Sequence, residues 1–334
     1  MRTGPELVRA TRVFAEEDPR RTWRLFLASA LVHLLAVTAT LLAPWWPLKL
    51  VGSVVIGLSI LRLFIFYHDY LHGAVFRGSR LGKLLMWVVG AYVQVPPSVW
   101  KETHDYHHRN NAKLLGSAIG SYPVVTVGMW KGMSLRQRRA YAVVRSPVTM
   151  ALGHVTLFAL GMCLSAFRRD PTKHWQAPLV LVLWWSVLVA IAWVAGWQNA
   201  LFVFLLPGMI ASALGAYLFY AQHNFPRAEL RDRREWDYSH AALRCSSMFD
   251  MGPVMHWFTG NIGYHHVHHL NHRIPFYRLP EAMAGMPELQ DPPRTSWRPP
   301  DVWGCLRVAL WDPEGQRMVS YREAEQLIAH QNAA

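Results

Sequence analysis

Cysteine is nearly missing from this chain: Cys163, Cys245 and Cys305 are the only three in 334 residues. They form no CxxC pair and no even-numbered framework, which argues against a disulfide scaffold and fits a reducing compartment or a membrane setting. None lies in a histidine cluster, so iron–sulfur centres are excluded and soft-metal storage lacks its ligands. The chain also has no CxxCH haem attachment, no HPGG haem-binding segment and no flavin or nicotinamide fingerprint. Any electrons it uses must come from outside. Charge is scarce as well, with 16% charged residues against 52% hydrophobic, which is apolar for a soluble protein. Residues 1–24 are polar and lack the apolar core and cleavage site of a signal peptide, so the first span is expected to serve as its own insertion signal.

A net charge of +13 would suit a nucleic-acid binder, but the positions of the charges argue against one. Six Lys and Arg fall in residues 1–24, fourteen in 77–174 and twelve in 221–334, leaving only Lys49 and Arg62 elsewhere. Uncharged apolar runs separate these basic segments. By the positive-inside rule all three segments, and both termini, belong on the cytoplasmic side.

Four runs are long enough to cross a membrane: Leu25 to Ala43, Leu48 to Tyr67, Ala177 to Ala195 and Ala200 to Ala221. Pro44-Trp45-Trp46-Pro47 and Gly196-Trp197-Gln198-Asn199 turn the chain between them. Arg62, inside the second run, is expected to snorkel or to meet an acid near the site. Leu84 to Val95 is too short to span and reads as a re-entrant or interfacial piece. Lys131 to Arg145 mixes basic and apolar residues as an amphipathic surface helix does. Pro147 to Phe167 is apolar enough to span, but a crossing there would separate the histidine clusters, so it is expected on or dipping into the cytoplasmic leaflet. The expected architecture is one all-α integral membrane domain over 1–334. It has a tail at 1–24, hairpins at 25–67 and 177–221, and cytoplasmic segments at 68–176 and 222–334. Within the last, Pro287 to Pro300 reads as loop and Ser320 to His330 as a short helix.

Eight of the 17 histidines stand in three clusters: His68 and His72; His104, His107 and His108; His265, His268 and His269. Residues three and four apart share a helix face, so each cluster offers two or three imidazoles to one point. Imidazole ligates iron, zinc, copper and nickel, and eight donors exceed one ion and suit two. Each cluster lies at or shortly after the cytoplasmic end of an apolar segment. His223, at the end of the fourth span, is expected as a ninth ligand. His266 and His272 are read as supporting or surface residues, and His33, His154, His174, His240, His256 and His330 as structural. Asp69, Glu102, Asp105, Asp237 and Asp250 lie close enough in sequence to accept the other ring N–H of a ligand. Asn261 is expected to hold a metal-bound water or to cap a helix. Two histidine-rich iron centres with open positions suit dioxygen activation, and their place below apolar helices suits a substrate with a polar head and a hydrocarbon tail.

The three clusters, HDYLH, HDYHH and HHVHH, resemble the histidine boxes of the membrane fatty acid desaturases. His265 through Leu279, HHVHHLNHRIPFYRL, is similar to the third-box region of the omega-6 type acyl-lipid desaturases, and the resemblance runs in order from His68 to Pro280. It implies a non-haem di-iron enzyme that uses dioxygen and two external electrons to place a cis double bond in an acyl chain carried on a lipid or a thioester. It also implies that His223 is the extra histidine between boxes two and three. On this resemblance Trp100, Tyr106, Trp257 and Tyr264 would line the acyl path. An acidic donor, a ferredoxin or a cytochrome b5, would be steered to the basic face. Two departures stand out: Tyr70-Leu71 replaces the small pair common inside box one, and Phe219 stands where stearoyl-type enzymes carry an Asn. A hydroxylase or ketolase on the same scaffold is the alternative, since spacing does not separate oxygen rebound from desaturation. A metal transporter would want ligands along its spans and does not fit. The compact ends and the lack of a retention signal predict a bacterial-type inner membrane.

Overall fold

Two apolar hairpins, held side by side, carry the rest of the chain at one end. The structure, a computed structural model, describes residues 2–114, 120–232 and 234–333. Helix α1, Pro19–Leu42, starts earlier than its apolar run because Asp18 caps it, accepting from the Arg21 N–H at 3.0 Å, and Pro19 pre-sets the first turn. Helix α2, Trp46–Leu71, returns the chain. Helix α3, Arg80–Tyr92, and helix α4, Pro97–Arg109, follow at the same end, each begun by a Ser or Pro signal. Helix α5, Gln176–Ala195, and helix α6, Trp197–Ala221, form the second hairpin about Gly196, whose φ of 88° only glycine adopts readily.

Among the described residues, α1, α2, α5 and α6 are the four helices long and apolar enough to cross a membrane. The 24 residues of α1 extend about 36 Å, more than the ~30 Å hydrocarbon core. In α2, 61% of the apolar window is buried inside the protein, against 17% in α1 and in α5, so α2 is the central helix and the other two face outward. The hairpins are tied together by Ser53 Oγ donating to the Phe202 carbonyl at 2.6 Å and Lys49 Nζ to Asn199 Oδ1 at 2.5 Å. Gly57 permits the close approach of α2 to α6: a Cβ there would sit 2.9 Å from Ile210 Cγ2.

The apolar 147–169 stretch packs against both α5 and α6. It is helical throughout most of its length, and from His154 to Ser165 it widens to i→i+5 bonding, a distortion that often marks functional sites. The expected Lys131 to Arg145 helix is two pieces, Val127–Gly132 and Leu135–Val144, because Ser134 and Gln137 form a capping box that restarts the helix. Leu135, Val143 and Val144 remain exposed beside Arg136 and Arg139.

The end cap is not purely helical. Strands β1 (Val125–Thr126), β4 (Val308–Asp312) and β5 (Arg317–Ser320) form a sheet in the order β1-β4-β5, and β2 (Met248–Asp250) pairs in parallel with β3 (Arg294–Ser296). Strands of two to five residues are too short to display a period-2 pattern, so the sequence gives no sign of them. The Pro287 to Pro300 loop accordingly contains β3 and leads into a helix at Pro299–Arg307. The last helix, Tyr321–Ala333, begins beside the expected Ser320, whose Oγ accepts from the Glu323 N–H while the Glu323 carboxylate takes the Ser320 N–H.

Candidate metal centre

Nine histidines meet where α2, α4, α6 and helix α7, His265–Leu270, end together. On a helix, the fourth residue of HxxHH lies about 60° to one side of the first and the fifth about 40° to the other. The two arms of the motif therefore point apart. In α4 the His104 and His108 pair joins His68, His72 and His268, while His107 turns the other way. In α7 the roles are exchanged: His265 and His269 join His107 and His223, and His268 crosses to the first group. The result is one group of five and one of four, with the ligand nitrogens of each lying within 4.8 Å of one another. The groups abut, the rings of His108 and His269 stacking at 4.4 Å between centroids.

The nitrogens converge in a way imidazoles alone do not support. In the first group His104 Nε2 lies 2.9 Å from His68 Nε2 and 3.1 Å from His108 Nε2, which is 3.1 Å from His268 Nε2. In the second, His265 Nε2 lies 2.8 Å from His223 Nε2 and 3.1 Å from His269 Nε2, and His107 Nε2 lies 3.1 and 3.3 Å from those same two partners. Neither nitrogen of buried His72 has a hydrogen-bond partner among the described residues. Burial holds His72, His104, His107, His108, His265, His268 and His269 well below the usual imidazole range, and His223 at about 4. The rings are thus neutral, with lone pairs crowded into a dry interior at a high cost. Nitrogens ~3 Å apart are what neighbouring ligands show about a common cation at ~2.1 Å. The donor set fits two divalent transition-metal ions, the first group offering five nitrogens and the second four.

Of the polar residues expected to support the ligands, Asp69 alone meets one. Its Oδ1 accepts from His68 Nδ1 at 2.9 Å and its Oδ2 from the Phe276 N–H at 2.7 Å. Glu102 instead pairs with Lys173 and His174, Asp105 with Lys101, and Asp250 with Arg294, while Asp237 caps the helix Tyr238–Arg244. Asn261 follows Gly260 in a turn where both have positive φ, and donates its amide to the Phe276 carbonyl at 3.2 Å. The second acceptor that sequence proximity misses is a backbone group, the Cys245 carbonyl, 3.3 Å from His223 Nδ1. Arg62 meets no acid among the described residues. It is buried under Phe66, Trp257 and Phe276 and donates to the Trp257 carbonyl at 2.6 Å.

His266 is fully buried and faces the Leu289 carbonyl, while half-buried His272 lies against His72 and His108. His33, His154, His174, His240 and His330 bond to groups outside the cluster, and His256 packs on Tyr264.

A cavity of about 370 Å³ runs from the histidines into the helices. His68, His104 and His265 border it at one end, and Ile60, Phe64, Leu157 and Phe158 are among its apolar walls. Trp100 lines it, but Tyr106, Trp257 and Tyr264 do not. Trp257 is taken up by Arg62, and Tyr264 precedes α7 with its ring on His256. Sequence reading passed over one face of α6, where Gly208, Ala211, Ser212, Gly215 and Ala216 border the cavity. The signal was small residues at helical spacing inside an apolar span. Phe219 continues that face and packs on His107 and His223, with centroids 5.0 and 5.6 Å away.

Comparison with known proteins bears on this geometry. The family model described as fatty acid desaturase matches residues 44–300. A fatty acid desaturase of Bacillus subtilis (strain 168) is 30% identical over 279 residues, covering 82% of this chain and 78% of its own. A chloroplastic omega-6 fatty acid desaturase of Spinacia oleracea is 21% identical over 85% of this chain and 64% of its own. A chloroplastic protein of Helianthus annuus, named an sn-2 acyl-lipid omega-3 desaturase (ferredoxin), is 24% identical over 80% of this chain and 61% of its own.

Proposed function

Because the chain belongs to the fatty acid desaturase family, we propose that its histidine cluster is a di-iron site acting on acyl chains that enter the adjoining cavity. The protein is a membrane fatty acyl desaturase, an oxidoreductase. The observation that carries the reading of the site is the cavity itself, apolar along its walls and ending on His68, His104 and His265. Such a cavity excludes water from an alkyl chain and presents its methylenes to whatever the histidines hold.

His68, His72, His104, His108 and His268 would hold one iron, and His107, His223, His265 and His269 the other. When bound, the two irons supply the oxidising power: one dioxygen, two external electrons and two protons remove two hydrogens from adjacent carbons, leaving a cis double bond and two waters. The chain's own residues do the rest. Asp69 fixes the His68 tautomer so that Nε2 faces the group, and the Cys245 carbonyl does the same for His223. Phe219 and Trp100 close the cavity beside the ligands. Nothing in the site favours a hydroxylase over a desaturase, and the named relatives are desaturases.

The electron donor follows from the relatives named for ferredoxin and from the excess of basic residues outside the spans: an acidic carrier of the ferredoxin type, with cytochrome b5 as the other possibility. The acyl chain is carried on a membrane lipid, as in the names of those relatives. We propose that the histidine end and both termini face the cytoplasm of a bacterial inner membrane; the basic segments outside the spans, read by the positive-inside rule, support that orientation.

Gas chromatography with mass spectrometry of total fatty acids, from hosts expressing this chain or its His268→Ala variant, tests the reading. A new cis-unsaturated acid that disappears in the variant is expected. A new hydroxy acid in its place would overturn it.

A further inference from the structure

His272 lies outside both histidine groups, yet its ring centroid is 4.6 Å from that of His72 and 5.0 Å from that of His108. Both neighbours belong to the group of five. Its buried Nδ1 has no hydrogen-bond partner among the described residues. The residue is half-buried, and its outer edge reaches the surface next to exposed Arg273. Asp105, Arg273 and Lys101 are charged side chains close enough to act on it. Arg77 adjoins Arg273, donating to its carbonyl at 3.5 Å, and exposed Arg109 lies one turn beyond Asp105 on the same face of α4. Against these four cations stand two carboxylates: Asp105 is paired with Lys101 at 2.8 Å, and Glu17 accepts from the Phe76 and Arg77 N–H groups.

We infer that this basic rim around His272 is where an acidic, ferredoxin-type iron–sulfur protein docks to deliver electrons. The inference rests on the desaturase reading, since only an enzyme supplied from outside needs such a port. His272 provides a covered path from that surface to the histidine group, one ring packed against two of its members. In each encounter a reduced carrier gives up one electron and leaves oxidised; two encounters and two protons per dioxygen complete the removal of two hydrogens as water. A second opening toward the histidines, at His223, is a narrow pocket of about 20 Å³ bordered by Lys113, Asn111 and Leu230, and Lys113 is the one Lys or Arg among the described residues that border it.

The test is stopped-flow oxidation of reduced plant-type ferredoxin by the full-length, iron-loaded protein in lipid nanodiscs, over a range of salt. For the native chain the rate should fall as salt rises. The double variant Arg109→Glu, Arg273→Glu should be slowed about tenfold or more at low salt, with its salt dependence flattened. Arg273→Lys should keep the native rate, and Lys113→Glu at the other opening should be unaffected. Native rates in the double variant, slowing in Lys113→Glu alone, or reduction by cytochrome b5 but not by ferredoxin would overturn the inference. Reduction by dithionite, removed before dioxygen is admitted, needs no docking surface and separates the two readings. If the native chain forms unsaturated product with dithionite while ferredoxin reduces native and double-variant chains equally fast, only the port is wrong. If it forms no product with dithionite, the desaturase reading beneath the port fails.

Discussion

His107 and His108 are adjacent in the chain, and their Nε2 atoms belong to different groups: His107 stands 3.1 Å from His223 and His108 stands 3.1 Å from His268. Their rings lie 68° apart in plane. The separation is helical geometry, about 100° of turn per residue. It divides nine histidines between two groups, each able to hold one ion, without any further device. His107→Ala and His108→Ala should therefore each lower bound iron from two toward about one per chain while leaving the other ion in place. Metal analysis of the purified variants, with a spectrum of the iron that remains, checks this. Two different residual spectra are expected.

Asp69→Asn removes the charge that holds His68 Nδ1 and the Phe276 N–H together. Loss of such a partner weakens a metal site by about 10–100-fold. Glu102→Gln and Asp250→Asn, whose carboxylates face Lys173 and Arg294, should leave iron affinity unchanged. Competition with a chelator measures all three.

The contrast among these acids shows what a sequence can and cannot convey. Chain neighbourhood made Asp69, Glu102, Asp105, Asp237 and Asp250 equal candidates. Only the direction of each side chain separates them, and the C-terminal turn of α2 aims Asp69 inward at Phe276, which is 207 residues away. The convergence of the nine histidines was legible because HxxxH and HxxHH encode their own geometry on a helix. Likewise the four spans were legible from length and apolarity, whereas β1 to β5 and the cavity depend on contacts between distant segments. Of the four aromatics assigned to the acyl path, Trp100 reaches the cavity because it lies one turn before His104 on α4. Nothing in the local sequence reveals that Arg62 occupies Trp257.

Gly215 borders the cavity on α6, and a Cβ there would stand 3.6 Å from Leu61 Cδ2. A small residue can be added, but Gly215→Phe fills the cavity. Turnover of long chains should fall about tenfold or more, with iron content unchanged. Product analysis together with metal analysis distinguishes this from a folding defect.

Gly260 has a φ of 53°, and a Cβ on it would come within 2.6 Å of Ile65 Cγ2. Gly260→Ala therefore combines backbone strain with a clash against α2, at a cost of about 1–3 kcal/mol. The turn also carries Asn261, which anchors Phe276. A lower melting temperature in detergent is the expected result, with Asn261→Ala showing a smaller drop in the same direction.

Burial lowers the imidazoles of His72, His104, His107, His108, His265, His268 and His269 below their unfolded value near 6.5, and His223 to about 4. The unfolded chain then binds more protons than the folded one across that window, so in the metal-free protein stability is full above about pH 6.5 and is lost as pH falls toward 4 and below. Bound iron should leave over the same descent, because protonation competes for the ligand nitrogens. Thermal melts of the metal-free and loaded protein at stepped pH measure both.

Anomalous scattering at the iron edge from the loaded protein tests the division of the ligands most directly. Two peaks are predicted, one among the Nε2 atoms of His68, His72, His104, His108 and His268 and one among those of His107, His223, His265 and His269. A single peak shared by His107 and His108, or iron bound away from these nine histidines, would contradict the account.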